Sequence, residues 1–416
     1  MTHQVALTVC ASVEPHRLDD LRRAVAGMAE NPARNPVLPF ADVPDTHFAR
    51  VMIVEQPARS TLVLTMDCDS PAADRVRDLV RVAGPGLDEV FGCCAGYPAR
   101  PTPRSRLRYV REHLARSEVF YVHAVGRTLQ QIRDEAGLRQ AVERLVDRHA
   151  ETFAAYTPSQ VRDAIRAQVA ADPQLSWALR PAAQPDLPFR VREGIHELAV
   201  PAVLLVASPL LVPALAVWLV ALRWHEWHDP APTPHLDPAR MRALGDAEDY
   251  GVQNAFTSLA PIRPGRFWRL TSKASLLVGD YSSRHVFTTG SLSGLTTVHF
   301  ARFMRFGPEQ AMLFTSYYDG SLESYNNDFV DQVAWVLNTV FGQQEGFPRT
   351  RWLVLQGAHR ESEFKAFIRG HQIPNQVWYS AYPDLAAVTI DQNARLRAGL
   401  SGDLDDEEVQ EWLRVL

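Results

Sequence analysis

The chain has 416 residues, a length that predicts two or more domains with buried cores. Its net charge of -5 gives no electrostatic reason to expect nucleic acid as a partner. The four cysteines (Cys10, Cys68, Cys93 and Cys94) lack metal-ligand spacing, which is typical of reduced thiols in a cytoplasmic protein. The N-terminus has no basic stretch before an apolar one, so we expect no secretory signal.

The first half begins with patterns that alternate between strands and helices. The stretch QVALTVCASV predicts a strand, HRLDDLRRAVAGMAE a helix, FARVMIV and STLVLTMD two further strands, and SPAADRVRDLVRVAG a second helix. A strand-helix portion follows. This order is close to the β-α-β-β-α-β order of a ferredoxin-like unit, so we predict that residues 1–150 form a first ferredoxin-like repeat.

The same order returns in residues 249–416, where matching blocks indicate an internal duplication. The tetrapeptide HFAR occurs at His47–Arg50 and again at His299–Arg302, about 250 positions later. ASVEPHRLDDL likewise matches APIRPGRFWRL, LVLTMDCDS matches MLFTSYYDG, and GYP matches GFP, all at nearly the same offset. The predicted fold class is therefore α+β, with two ferredoxin-like repeats packed as a pseudo-symmetric α/β barrel.

An insertion, residues 151–248, separates the repeats. Two Pro-rich linkers flank an apolar segment, Leu198–Leu222, which has no charged residue and exceeds the ~20 residues that cross a bilayer. Trp224 and Trp227 follow it beside Arg223, as in an interfacial belt. The segment predicts membrane lipid as a partner, and a buried core helix is the alternative.

The duplication limits how this segment lies in a membrane. Two halves that pack together must stay on one side, whereas a single crossing between them would separate them. Pro201, Pro209 and Pro213 each remove a helix hydrogen bond and favour bends. We therefore expect a monotopic or re-entrant anchor on the cytoplasmic side of the inner membrane. One crossing stays possible if the halves do not pair.

Candidate chemistry is concentrated in the second repeat, which we expect to be the functional half. Asp319 precedes Gly320 at a strand end and is a candidate general acid or base, or else a helix N-cap like Asp69 in the first repeat. His299 begins a predicted strand, and strand alternation places its side chain on the opposite face of the strand from that of Arg302. A structural role at the rim of the barrel is its alternative.

Two further groups of polar residues are candidates. Arg349, Arg351 and Trp352 with Trp378, Tyr379 and Tyr382 predict a groove for an anionic head group or a propionate-bearing cofactor, with sheet packing as the alternative. Glu323, Asp328 and Asp331 lie on one helix, where they form either a solvated face or a weak metal site in a haem-free enzyme.

The second repeat resembles a known group of proteins. The run HFARFMRF, LFTSYYDGSLESYNNDFVD, GFPRTRWLVLQGAH, QVWYSAYPDL and NARLRAGL is similar to a group of bacterial membrane-associated proteins whose activities are mostly unassigned. At the level of fold, paired ferredoxin-like units resemble dye-decolorising peroxidases and chlorite dismutases, which bind haem in one half. The peroxidase motif Gly-x-x-Asp-Gly is met in part by Ser316 to Gly320.

This resemblance implies roles for particular residues. Asp319 would be the distal acid or base, His371 or His299 the axial haem ligand with His371 as the metal-binding candidate, and Arg395 a distal or propionate-binding arginine. Arg349, Arg351, Trp378 and Tyr379 would help to hold the cofactor. We therefore predict a membrane-associated, haem-dependent, peroxidase-like oxidoreductase that acts on a lipid-derived substrate and can form a homo-oligomer. The alternative is a non-catalytic peripheral protein that binds lipid or a partner.

Overall fold

The computed structural model describes residues 3–181, 186–248, 251–288, 290–307 and 311–416. The chain is a mixed α/β protein with antiparallel sheets and one long apolar helix. Its strands are β1 Gln4–Ser12, β2 Thr46–Gln56, β3 Arg59–Asp69, β4 Val119–Val122, β5 Gln253–Ala260, β6 Val298–Phe306, β7 Ala311–Asp319, β8 Thr350–Arg351, β9 Leu355–Gln356 and β10 Val377–Ser380.

The helices alternate with these strands in both halves. They are α1 Leu18–Ala29, α2 Ala72–Val82, α3 Gly84–Phe91, α4 Pro103–Glu112, α5 Leu129–Arg148, α6 Ala150–Phe153, α7 Pro158–Ala171, α8 Leu187–His228, α9 Pro238–Gly245, α10 Arg266–His285, α11 Leu322–Phe341, α12 Glu361–His371, α13 Ala387–Ser401 and α14 Asp406–Leu413.

Two four-stranded sheets form the centre of the molecule. The first sheet has the order β1-β3-β2-β10 and the second has the order β4-β6-β7-β5, with every neighbouring pair antiparallel. The first three strands of each half thus pair in the same pattern, β1-β3-β2 in one and β5-β7-β6 in the other. This shared pattern is what the matching sequence blocks predict.

The fourth strands are exchanged between the halves. β10, from the C-terminal half, pairs with β2, and β4, from the N-terminal half, pairs with β6. The exchange has matching registers, because Val377 lies opposite Val51 and Val119 lies opposite Phe303. Neither sheet is complete within the predicted boundaries 1–150 and 249–416, so each half needs the other for its fourth strand.

A buried arginine from each sheet crosses to the other sheet. Arg50 of β2 donates hydrogen bonds to the carbonyl oxygens of Phe256 (2.8 Å) and Ser316 (2.9 Å). Arg302 of β6 donates in the opposite direction to the carbonyl oxygens of Leu7 (2.9 Å) and Met66 (3.3 Å). These are the arginines of the two HFAR copies, and each ties the backbone of the sheet that it faces.

The two arginines differ in their ionic partners. Arg302 forms a fully buried ion pair with Asp67 of β3. The equivalent position in the second half is Tyr317, whose ring centroid lies 4.4 Å from the guanidinium carbon of Arg50. Arg50 is therefore stabilised by carbonyl oxygens and an aromatic face, and its burial lowers the pKa of its guanidinium. The interface between the two sheets is therefore asymmetric at this position.

Helices cover the outer faces of both sheets. α1 to α4 pack on the first sheet around a core that includes Leu21, Leu79 and Phe91. α11 and α12 pack on the second sheet through Phe341, Phe364 and neighbouring side chains. A third cluster joins α5, α7, α13 and α14 into a small helical bundle. Helices from both halves therefore meet in this bundle.

We predict that Asp67→Asn strongly destabilises the fold. Arg302 would keep its buried charge without a counter-charge, and breaking such a pair costs about 3 kcal/mol or more. Chemical denaturation followed by circular dichroism measures the loss.

The matched control for this prediction is Glu55→Gln, which breaks the exposed pair between Arg22 and Glu55. Its denaturation midpoint should stay close to that of the wild type, because exposed pairs contribute little. Equal shifts for the two variants would contradict a special role of the buried pair.

Candidate functional site

Two histidine–aspartate pairs occupy equivalent positions in the two halves. His47 Nε2 lies 3.0 Å from Asp69 Oδ1, and His299 Nε2 lies 2.7 Å from Asp319 Oδ1. Both histidine side chains are almost fully buried. The matching blocks predict His47 and Asp69 as the counterparts of His299 and Asp319, but not that each histidine pairs with its aspartate. The repeated HFAR block and the aligned aspartates were the available signal.

The second oxygen of each aspartate receives a hydrogen bond from the start of a helix. The backbone N–H of Leu129, in α5, donates to Asp69 Oδ2 at 2.9 Å. The backbone N–H of Ala387, in α13, donates to Asp319 Oδ2 at 2.7 Å. Carboxylates stabilise helix N-termini in this way. Each pair therefore fixes a helix that follows an exchanged strand.

The predicted N-cap role of Asp319 applies to a different helix from the expected one. α11, which follows Asp319 in sequence, is capped by Ser321, whose hydroxyl accepts from the N–H of Ser324 at 3.1 Å. Asp319 instead binds the first turn of α13. The pairing depends on the tertiary fold, so local sequence could not identify it.

The predicted separation of His299 and Arg302 onto opposite strand faces is wrong. A β-bulge between Val298 and Phe300 interrupts the alternation, and a matching bulge occurs at His47. The ring of His299 lies 5.5 Å from that of Phe48 across the sheet interface. Because a bulge redirects side chains, His299 and Arg302 both contact the opposite half.

Tyr382 makes the two histidine–aspartate pairs unequal. Its hydroxyl lies 3.1 Å from His47 Nδ1, and the equivalent residue in the first half is Ala124. Burial raises the pKa of Tyr382 well above its usual value, and the nearby carboxylates act in the same direction. The two pairs are closed hydrogen-bonded arrangements in which both carboxylate oxygens of Asp69 and of Asp319 are engaged. Such a network positions helices more readily than it reaches a substrate.

The residues assigned to haem do not converge on one place. His371 lies at the end of α12 with Nδ1 3.0 Å from the carbonyl oxygen of Phe367, and burial lowers its pKa. Arg395 is exposed on α13, and Trp378 and Tyr379 lie on β10 in the first sheet. His299 is held by Asp319. Among the described residues no cluster of His, Cys, Asp and Glu fits a metal ion. This set does not fit a haem group.

A second candidate site lies where α8 ends. An open groove of about 850 Å³ runs between the last turns of α8 and the β8–β9 hairpin. We call it the interfacial groove. Its basic lining residues are Arg223, His228, Arg349, Arg351 and Arg360, and its aromatic ones are Trp224, Trp227 and Trp352.

A buried carboxylate holds the interfacial groove together. Glu226 of α8 accepts hydrogen bonds from the hydroxyl of Thr350 (2.8 Å) and from the backbone N–H groups of Trp352 (3.0 Å) and Leu353 (2.9 Å). It also pairs with Arg223. The end of α8 is therefore bound to the β8–β9 hairpin, and the negative charge of Glu226 is compensated by partners inside the protein.

The rim of the groove combines cationic and aromatic groups. The guanidinium of Arg223 lies 4.9 Å from the ring centroid of Trp227 and 5.0 Å from that of Trp352. Trp224 and Trp227 are 54% and 63% exposed. The structure thus brings Arg349, Arg351 and Trp352 together as the sequence predicts. It excludes Trp378, Tyr379 and Tyr382, which lie on or beside β10, and adds residues of α8.

Both ends of the apolar segment are attached to α10. Near its start, Glu193 forms an ion pair with Arg284 (2.7 Å), and the hydroxyl of Tyr281 donates to the carbonyl oxygen of Glu197 (3.1 Å). Near its end, the indole N–H of Trp218 donates to Thr271 at 3.0 Å. The two ends therefore lie on the same side of the protein.

The apolar part of α8 lies between these attachments. From Glu197 to Trp218 the helix axis is about 30 Å long. The three internal prolines lie in or beside this part, which is exposed, with Val206 82% and Leu210 80% accessible. The alternative of a buried core helix is wrong, because none of its most apolar window is buried. By length and composition α8 can act as a membrane anchor.

Comparisons with protein-family models, with curated proteins and with solved structures find no match to this chain, and no family is assigned.

We predict that Asp69→Ala and Asp319→Ala destabilise the protein by similar amounts, about 1 to 3 kcal/mol each. Each removes one helix N-terminal acceptor and leaves a buried histidine without its partner. Tyr382→Phe, which removes a single hydrogen bond to His47, should cost less, about 1 kcal/mol. Denaturant titration of the three variants measures these differences. A loss confined to one half would show that the two pairs are not equivalent.

Proposed function

We propose that this protein is a monotopic membrane protein that binds anionic lipid head groups in the interfacial groove. The observation that carries the proposal is the position of the groove, where an exposed apolar helix ends among arginines and tryptophans. Tryptophan prefers the membrane–water interface, and cationic groups there attract anionic lipids. This proposal corresponds to the non-catalytic alternative of the sequence analysis.

The attachments of α8 support a monotopic arrangement. Because α10 binds both ends of the apolar segment, we place the entry and the exit of the chain on one face of the protein. The exposed apolar residues between Leu198 and Val217 then lie in the acyl region, while Trp224 and Trp227 reach the head-group level. We place the body on the cytoplasmic side, where anionic lipids are concentrated.

The charge of the interfacial groove favours an anion. Four guanidinium groups face it, and Glu226, the carboxylate in its lining, is buried and bound to backbone N–H groups. Three of the arginines, Arg223, Arg349 and Arg360, also bind protein groups. Arg349 donates to the carbonyl oxygens of Trp227 and Asp229 at 3.1 Å, and Arg360 lies 3.5 Å from Glu363 on the surface. Arg351 and Arg360 are exposed and are the best placed to reach a phosphate.

We also propose that the two halves arose from a duplicated ferredoxin-like unit whose fourth strands were exchanged. The equivalent registers of β4 and β10, the reciprocal arginines and the repeated histidine–aspartate pairs support this origin. A homo-oligomer stays a prediction.

A haem-dependent, peroxidase-like oxidoreductase stays a competing prediction. Its candidate residues Asp319, His371 and Arg395 lie on three separate elements, and no chemical step is derived through haem here. A Soret band in protein produced with added haem is the measurement that would support it.

We predict that Arg351→Gln with Arg360→Gln weakens binding to vesicles that contain phosphatidylserine. Each lost charge near the surface should reduce partitioning about fivefold. Co-sedimentation with vesicles at low and high salt measures the effect, which should shrink as salt rises.

The control for the vesicle experiment is Arg100→Gln with Arg104→Gln, two exposed arginines on and before α4 in the first half. This variant loses the same charge but should bind like the wild type. On vesicles of phosphatidylcholine alone all proteins should bind equally. Equal losses for both double variants would contradict the groove as the binding site.

We predict that the two ends of α8 are accessible from the same side of the membrane. Val191→Cys and His228→Cys place thiols at exposed positions on either side of the apolar segment. A membrane-impermeant maleimide should label both variants in inside-out vesicles and neither in right-side-out vesicles. Wild-type protein is the control for the native thiols, of which Cys10 is partly exposed and Cys68, Cys93 and Cys94 are buried. Labelling from opposite sides would show a complete crossing.

A further inference from the structure

A separate apolar cavity lies in the second half, between the second sheet and its helices. About 70 Å³ of it admits the centre of a water molecule. β4 to β7 and helices α10 to α12 line it, with Phe256, Phe314 and Phe341 among the aromatic walls. No charged residue, histidine, cysteine or methionine lines it among the described residues. The cavity is narrow and suits an uncharged aliphatic group.

One buried polar atom in this lining has no partner. Tyr121 of β4 is 2% exposed, and its hydroxyl forms no hydrogen bond within the described part of the chain. The other tyrosine of the lining, Tyr325, is satisfied by Ser316 at 2.8 Å. An unpaired buried hydroxyl costs free energy, so a ligand group that bonds to Tyr121 would be favoured.

A second pocket adjoins this cavity near the start of the membrane helix. It has a volume of about 530 Å³ and opens beside Phe189, Arg192 and Glu193 of α8, and we call it the entry pocket. Ser283 of α10 lines both the cavity and the entry pocket. Ser283 therefore stands between the pocket at α8 and the apolar interior.

We propose that the cavity binds the aliphatic chain of a membrane lipid, which enters past Ser283 with its polar end left in the entry pocket. The chain is taken from the bilayer that α8 contacts. The cavity shares no lining residue with the interfacial groove, which lies at the other end of α8.

Three features favour a chain over other ligands. The interior is narrow, because only a small volume of it admits the centre of a water molecule, and it suits a flexible chain better than a wide planar ring. The walls provide aromatic and branched side chains, which pack against methylene groups. The entry pocket carries Arg116, Arg192 and Arg284 against Glu193 and Asp280, an excess of one positive charge among arginines and carboxylates. That excess matches a carboxylate or phosphate at the end of the chain.

Photolabelling of the full chain tests this proposal. The protein is reconstituted in phosphatidylcholine nanodiscs with palmitic acid that carries a diazirine near its methyl end. After irradiation, peptide mass spectrometry should locate label on α11, between Tyr325 and Phe341. Label confined to the apolar segment of α8 would overturn the proposal.

Filling the cavity provides the second arm of the test. Ala301→Leu adds bulk to the lining, and label on α11 should fall about tenfold, the change expected for a loss of ~1.4 kcal/mol in binding. Leu277→Phe, a change of similar size at an exposed position on α10, should leave the label unchanged. Undiminished labelling of folded Ala301→Leu protein would overturn the proposal.

The groove variant separates this inference from the proposed head-group site. Protein with Arg351→Gln and Arg360→Gln should keep its label on α11, because neither residue lines the cavity or the entry pocket. Loss of label in that variant would count against an independent chain site.

Discussion

The reciprocal arginines at the sheet interface are the interaction on which the architecture depends. Arg50 and Arg302 are fully buried, and a guanidinium in such a place needs several acceptors. The acceptors are backbone carbonyls of the opposite sheet, so the two sheets are held at a fixed distance and register. With the exchanged strands β4 and β10, they make the two halves one structural unit rather than two tethered domains.

That unit determines where the remaining elements lie. The histidine–aspartate pairs at the bulges receive the N-termini of α5 and α13, which follow the exchanged strands, and so connect sheet packing with the helical bundle. The second half has Tyr317 at the position equivalent to Asp67, and it contains the apolar cavity. α10 borders this cavity and binds both ends of the apolar segment of α8. The cavity and the attachment of the apolar segment thus depend on the same helix.

Several features could be predicted from residues alone, while others could not. The strand and helix order and the apolar segment follow from local periodicity, and the structure contains both, with the same strand pairing in the two halves. The grouping of Arg349 and Arg351 with Trp352 follows from their adjacency in sequence. Their partners Arg223, Glu226 and Trp227 were missed because they lie more than a hundred positions earlier and join them only through packing.

The sequence by itself determined that two stretches of the chain contain matching blocks, that both stretches contain the same strand pattern, and that one helix is apolar enough to contact a membrane. These properties are encoded in neighbouring residues, whose periodicity expresses local backbone geometry. Only the tertiary structure decided that the fourth strands are exchanged, that His299 faces the interface, and that Asp319 caps α13 instead of α11. Each of these depends on pairing between distant segments, where sheet register, a bulge or a buried charge selects the partner.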